Sequence, residues 1–146
     1  MLAEHAWYLA LRKKSPLLLF YFDVDLFKEI NDSFGHREGD HALQEVAALL
    51  RETFRHADIL ARMGGDEFAV LCDAQPNSQT RIEDRIASLV RTRNQRENSK
   101  FQLSLSIGMM VCDDSLRDLT IGDLLTRADA LMYEKKRESR SRAIIA

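Results

Sequence analysis

Four carboxylates have the type and spacing to do chemistry. Asp23 and Asp25 close the run Pro16-Leu17-Leu18-Leu19-Phe20-Tyr21-Phe22-Asp23-Val24-Asp25, and Asp66 and Glu67 follow Gly64-Gly65. Carboxylates beside an apolar core are costly to desolvate unless a cation offsets the loss, and hard divalent cations, Mg²⁺ foremost, take oxygen ligands of this kind. Two residues apart on a strand, Asp23 and Asp25 are expected to project to the same face. The plainer reading of the same residues is that Asp25 caps the helix that follows and that Asp66 and Glu67 solvate a turn.

Next in the chain comes Leu26-Phe27-Lys28-Glu29. A helix starting there offers free backbone N–H groups, and Lys28 offers a positive charge, which together are what a nucleotide phosphate tail bridged by metal to the carboxylates requires. Asn31, His36 and Asp40 surround Gly35 and Gly39. A carboxylate can accept two N–H bonds from the guanine edge while an asparagine donates to its acceptors, so this set can separate guanine from adenine. Each of the three also suits a cap or a turn. A further reading is a two-metal nuclease or phosphatase built on Asp23, Asp25, Asp66 and Glu67, in which the guanine-reading set would stand idle.

The elements that must position these groups follow from periodicity. Residues 3–13 form a helical pattern that Pro16 ends, and the unbroken apolar run after it reads as a strand covered on both faces, with its carboxylates at the exposed tip. Phe27 to Ser33 reads as a short helix stopped by Gly35. Leu43, Val46, Ala47 and Leu50 mark a longer helix over about 39–54. Segments 58–63 and 67–72 flank Gly64-Gly65-Asp66 as a hairpin, the paired glycines being expected to supply positive φ. A helix over 78–96, a strand over Phe101–Cys112, a helix striped by Ile121, Leu124, Leu125, Ala128, Leu131 and Met132, and a last edge strand at Ala143–Ile145 complete the order β-α-α-β-β-α-β-α-β. This is an α+β pattern of ferredoxin-like type: a mainly antiparallel five-stranded sheet with helices packed on one face.

With 146 residues, 45% apolar and 30% charged, the chain suits one domain, residues 1–146. A net charge of −2 leaves no bulk field to recruit a nucleic-acid polymer or an anionic membrane. Cys72 and Cys112 lie in apolar runs without metal-binding spacing and are expected to be buried, reduced thiols of a cytoplasmic protein. The longest apolar run, Leu17–Phe22, is far short of the ~20 residues that span a bilayer. A helix-like beginning and a strand-like end suggest a domain excised from a larger protein, whose own membrane anchoring is left open.

Phe22-Asp23-Val24-Asp25-Leu26-Phe27-Lys28-Glu29-Ile30-Asn31-Asp32-Ser33-Phe34-Gly35-His36-Arg37-Glu38-Gly39-Asp40, followed by Arg62-Met63-Gly64-Gly65-Asp66-Glu67-Phe68, resembles the GGDEF domain of the diguanylate cyclase family. Ser106-Ile107-Gly108 and Ala128-Asp129-Ala130-Leu131-Met132-Tyr133 extend the resemblance over residues 17–142. It implies a nucleotidyl-cyclase-like fold and a bacterial signalling enzyme. The reaction implied is condensation of two GTP molecules into cyclic di-GMP and two pyrophosphates, one GTP on each subunit of a homodimer. By this similarity Asp23, the Val24 carbonyl and Asp66 bind Mg²⁺ or Mn²⁺, Asp66 is the base for the attacking 3′-hydroxyl, and Glu67 assists at the metal. Lys28 stabilises phosphate charge; Phe27, Asn31, His36 and Asp40 hold the guanosine portion; Lys136 and Arg140 reach the triphosphate. Lys135, Arg137 and Arg142 read instead as a solvated face, cations being favoured at a helix C-terminus. Arg55-x-x-Asp58, five residues before the glycine pair, matches the family's product-inhibition site, where an arginine fork pairs with phosphate and guanine. Two departures stand out: the opening Asp-x-Leu-Thr-Gly-Leu-x-Asn-Arg segment is absent, and Ser139 replaces the usual glycine before Arg140. The alternative within the family is a catalytically silent module that binds GTP or cyclic di-GMP to regulate a partner.

Overall fold

Every residue of strand β1 (Leu17–Val24) is buried, as its unbroken apolar run demands, and alternate side chains enter two separate cores. Leu18, Phe20, Phe22 and Val24 pack with Ile30, Leu43, Val46, Leu50 and Ile86 from helices α2 (Phe27–Phe34), α3 (His36–Thr53) and α4 (Ser78–Asn94). Leu17, Leu19 and Tyr21 pack with Trp7 and Ala10 from α1 (Leu2–Lys13) and Leu124, Ala128 and Met132 from α5 (Ile121–Ile145). Helices therefore cover both faces of the sheet and not one, because a strand apolar on both sides needs a layer on each. The computed structural model describes the backbone of residues 1–145 and side chains as far as Ser139.

The sheet is antiparallel throughout, in the order β2 (Ile59–Arg62), β3 (Glu67–Asp73), β1, β4 (Leu105–Cys112). Its register aligns Asp23 with Glu67 on one side and with Ser106 on the other. The α+β class of the sequence pattern is correct, but there are four strands among the described residues, not five. Residues 143–145 continue α5, which no glycine or proline interrupts after Gly122. The last strand begins at Leu105 and not Phe101, because Leu103 is tied to Asn94: the Leu103 N–H donates to Asn94 Oδ1 and Asn94 Nδ2 donates to the Leu103 carbonyl, both at 2.8 Å.

Two glycines shape what lies near the sheet's carboxylate end. Gly108 on β4 lets α5 lie directly on the strand, since a Cβ there would meet the Met132 nitrogen at 2.4 Å and the Ala128 carbonyl oxygen at 2.5 Å. Gly35, with φ of 89°, makes the break between α2 and α3. Gly64 and Gly65, by contrast, do not use positive φ. Cys72 and Cys112 are unpaired and buried in cores on opposite faces of the sheet, and burial pushes their thiols up to about 12 and about 11. No described helix is long and apolar enough to cross a membrane.

Candidate functional site

Asp23 is the last side chain of β1 on the α5 face, and it is 5% exposed. One turn beyond the buried Met132, Lys136 reaches back to form an ion pair with Asp23 Oδ2. Asp23 Oδ1 is buried with no hydrogen-bond partner. Burial raises the pKa of this carboxyl to about 6; Lys136 pulls it down, and the neighbouring Asp66 carboxylate pushes it up.

Asp66 arrives there because the β2–β3 turn is folded back onto β1. The Val24 N–H donates to the Asp66 carbonyl at 3.1 Å, and the Met63 N–H closes the turn on the Glu67 carbonyl at 2.8 Å. Arg62 staples it: Nε donates to the Gly64 and Gly65 carbonyls at 3.1 and 3.2 Å, and Nη2 donates to Gly65 at 2.8 Å. Glu67 Oε2 accepts the Tyr21 hydroxyl at 2.9 Å, and burial, with this bond next, raises the tyrosine pKa. A Cβ at Gly65 would meet nothing within 4 Å, so the turn presents bare backbone to solvent.

Asp25 does not join this cluster, which corrects both sequence readings of it. The strand ends at Val24, so the two-residue alternation stops before Asp25. Its carboxylate accepts the Ser104 hydroxyl at 2.7 Å and the Ser106 hydroxyl at 2.5 Å. It caps nothing either, because α2 is preceded by Leu26 in a left-handed conformation with no side-chain cap. Both Asp25 oxygens are thus committed to serine hydroxyls and not to a site shared with Asp23. Among the described residues no group of three or more His, Cys, Asp and Glu is placed to hold a metal. What remains is the pair of Asp23 and Asp66. An unpartnered buried carboxylate oxygen facing a second carboxylate is an arrangement that a hard divalent cation would neutralise, so these oxygens fit one.

On the other face, α2 and α3 bring Asn31 against Gly39. A Cβ at Gly39 would fall 1.7 Å from Asn31 Oδ1 and 3.4 Å from the Phe27 ring, so glycine is what admits the asparagine. Asp40, Leu43, Ala47, Leu60, Arg62 and Phe68 line a groove of about 540 Å³ beside the stapled turn. Lys28 is exposed in the first turn of α2, and His36 is exposed as the first residue of α3. Lys135 and Arg137 are exposed, whereas the Arg140 and Arg142 side chains lie outside the described residues. Arg62, Tyr21, Ser104 and Ser106 had no assigned role in the sequence reading. Only the polar Ser104 and Ser106 in an otherwise apolar strand pattern hinted at theirs.

Arg55 and Asp58 lie elsewhere, in the turn from α3 to β2. The Asp58 carboxylate accepts the Arg55 N–H at 2.8 Å, and the Asp58 N–H donates to the Arg55 carbonyl at 3.0 Å. A pocket of about 230 Å³ opens beside them, also lined by Ser78 and Arg81.

Comparison with known proteins identifies the family and the fold. The family model described as "Diguanylate cyclase, GGDEF domain" matches residues 2–142, further toward the N-terminus than the motifs alone reached. The chain is 32% identical over 136 residues to diguanylate cyclase A of Treponema denticola, covering 92% of this chain and 36% of that one. With diguanylate cyclase DosC of Escherichia coli it shares 39% over 137 residues, covering 90% of this chain and 28% of the relative. It thus spans about a third of the length of these curated relatives. Among solved structures, the GGDEF domain of TpbB from Pseudomonas aeruginosa superposes with a TM-score of 0.80 at 35% identity, covering 92% of this chain and 84% of that one. The GGDEF domain of DgcB from Caulobacter crescentus, in complex with c-di-GMP, superposes with a TM-score of 0.79 at 27% identity over 92% of this chain and 80% of that one.

Proposed function

Because the chain belongs to the GGDEF domain family of diguanylate cyclases, we propose that it condenses two GTP molecules into cyclic di-GMP and two pyrophosphates, each GTP held by one subunit of a homodimer. The observation that carries this reading is the buried, unpartnered Asp23 Oδ1 beside Asp66, at the foot of a stapled glycine turn. The names of the curated relatives and the cyclic di-GMP bound by DgcB support the same substrate class.

Displacement at an α-phosphate asks mainly for positioning, charge neutralisation and one proton acceptor. Asp66 takes the proton of the attacking 3′-hydroxyl, with Glu67 beside it. A divalent cation, Mg²⁺ or Mn²⁺, held by Asp23, the Val24 carbonyl and Asp66 would supply neutralisation of the triphosphate. Lys28, Lys136 and Arg140 supply fixed positive charge to the same phosphates. The bare backbone at Gly64 and Gly65 allows close approach. Guanine is read by Asp40, which lines the groove beside the turn, and by Asn31, which packs against Gly39, with Phe27 and His36 bordering the nucleoside. Arg55 and Asp58 take the product as an inhibitor, the arginine through its side chain and the aspartate through the oxygen not spent on the turn.

Incubation with GTP and MgCl₂, with nucleotides resolved by chromatography and mass spectrometry, tests the reading. Cyclic di-GMP and pyrophosphate are the expected products. Asp66→Ala should lower turnover by at least the ~10²-fold that general acid–base catalysis supplies, with an unchanged circular dichroism spectrum. A variant retaining more than about a tenth of the parent rate would remove Asp66 from the base role. GTP bound without turnover would make the silent module the better account.

A further inference from the structure

Asp25 lies two residues from Asp23, yet both its carboxylate oxygens are engaged by serines, one on β4 and one just before it. Ser104 Oγ donates to Oδ2 at 2.7 Å, Ser106 Oγ donates to Oδ1 at 2.5 Å, and the Asp25 N–H donates to the Ser104 carbonyl at 2.9 Å. Ser106 is only 5% exposed, so its hydroxyl needs this partner. The serines are themselves held, since Asn94 pairs with both backbone groups of Leu103.

The next residue explains why the turn needs holding. Leu26 has a φ of 57°, a conformation that a branched aliphatic residue adopts only when its surroundings impose it. Its own side chain is 55% exposed and cannot supply that force by packing. Asp25 on one side of Leu26, and the Ile30 N–H bonded to the Leu26 carbonyl at 3.0 Å on the other, are what fix it.

We propose that Asp25 is a positioning residue. Its clamp on Ser104 and Ser106 sets the β1–α2 turn, and so aims the Val24 carbonyl and the first turn of α2, with Lys28, at the place where Asp23 and Asp66 meet. The proposal rests on the reaction assigned above for its kinetic consequence, but the clamp itself can be observed without turnover. It also separates two roles that a metal-binding aspartate would merge. An asparagine can accept one serine hydroxyl and donate to the other, keeping the clamp while losing the charge.

Three variants of the whole chain decide it: Asp25→Asn, Asp25→Ala and the double variant Ser104→Ala/Ser106→Ala. Asp25→Asn is expected to keep kcat within about threefold of the parent, while the other two lose about 10²-fold, the cost of misplacing reacting groups by ~1 Å. KM for GTP should stay within about threefold in all three, because Asp40 reads guanine from α3, outside the clamped turn. Hydrogen exchange measured without nucleotide should show the residue 25–27 segment opening about tenfold more readily in Asp25→Ala and in the double serine variant, but not in Asp25→Asn. Asp25→Asn as impaired as Asp25→Ala, or a double serine variant matching the parent in rate and exchange, overturns the clamp. Should Asp25→Ala fail to fold, the other two variants still decide. A parent that makes no cyclic di-GMP defeats the assigned reaction, and the exchange pattern then decides the clamp alone.

Discussion

Asp23 shows what the site does to a single residue. Burial is the largest influence on its carboxyl, with Lys136 opposing and Asp66 reinforcing, and the result is a pKa of about 6 against 3.8 for the free side chain. Between those values the folded chain binds more protons than the unfolded one, so this group's contribution to stability is fully present below pH 3.8 and is lost as pH rises through about 6. With divalent cations chelated, the thermal midpoint of the parent should fall relative to that of Asp23→Asn between about pH 4 and pH 7. Lys136 is partly exposed, so in that variant it can turn to solvent. Parallel pH profiles for the two proteins would show that Asp23 titrates normally.

At the level of elements, the placement of Lys136 depends on how closely α5 lies on β4. Gly108→Ala would put a methyl group 2.4 Å from the Met132 nitrogen, a clash with backbone that side-chain rotation cannot relieve. We expect a loss of about 1–3 kcal/mol in urea unfolding, as for other overpacked sites, accompanied by weaker triphosphate binding as the helix shifts. Gly65→Ala is the contrasting case, because a Cβ there meets nothing within 4 Å and the backbone is not left-handed. Its stability should match the parent's, so any loss of turnover would belong to the site and not to the fold. Equal unfolding midpoints for Gly108→Ala and Gly65→Ala would refute this account of helix seating.

Over the whole molecule, the β2–β3 hairpin joins two places with different proposed ligands. The stapled turn that carries Asp66 is at one end, and the Arg55–Asp58 turn precedes β2 at the other. The four residues of β2 span about 13 Å at ~3.3 Å each, which sets the Arg55–Asp58 turn apart from the turn that carries Asp66. Inhibition from there requires cyclic di-GMP to bind competent and incompetent states unequally. Arg55→Ala should therefore weaken cyclic di-GMP binding in calorimetry while GTP affinity is retained. Competition between the two nucleotides for one site would count against it.

Local pattern was enough to read the succession of elements along the chain as far as the fourth strand, the α+β class and the family, because periodicity, breakers and contiguous motifs are properties of neighbours in sequence. The same information singled out Asp23 and Asp66, whose carboxylates the fold brings next to each other. It could not tell that Asp25 serves Ser104 and Ser106 and not the cluster, since they are 79 and 81 residues away. Nor could it pair Lys136 with Asp23 across 113 residues, or Tyr21 with Glu67 across 46. The one-face helix layer and the fifth strand failed for a related reason. Which layer covers a buried strand, and whether a terminal apolar triplet extends or coils, depends on where the remaining elements pack. Residue type specifies what a side chain is able to do, but only the tertiary structure decides which partner it spends that capacity on, because hydrogen bonds and ion pairs form between groups that packing brings within about 3 Å.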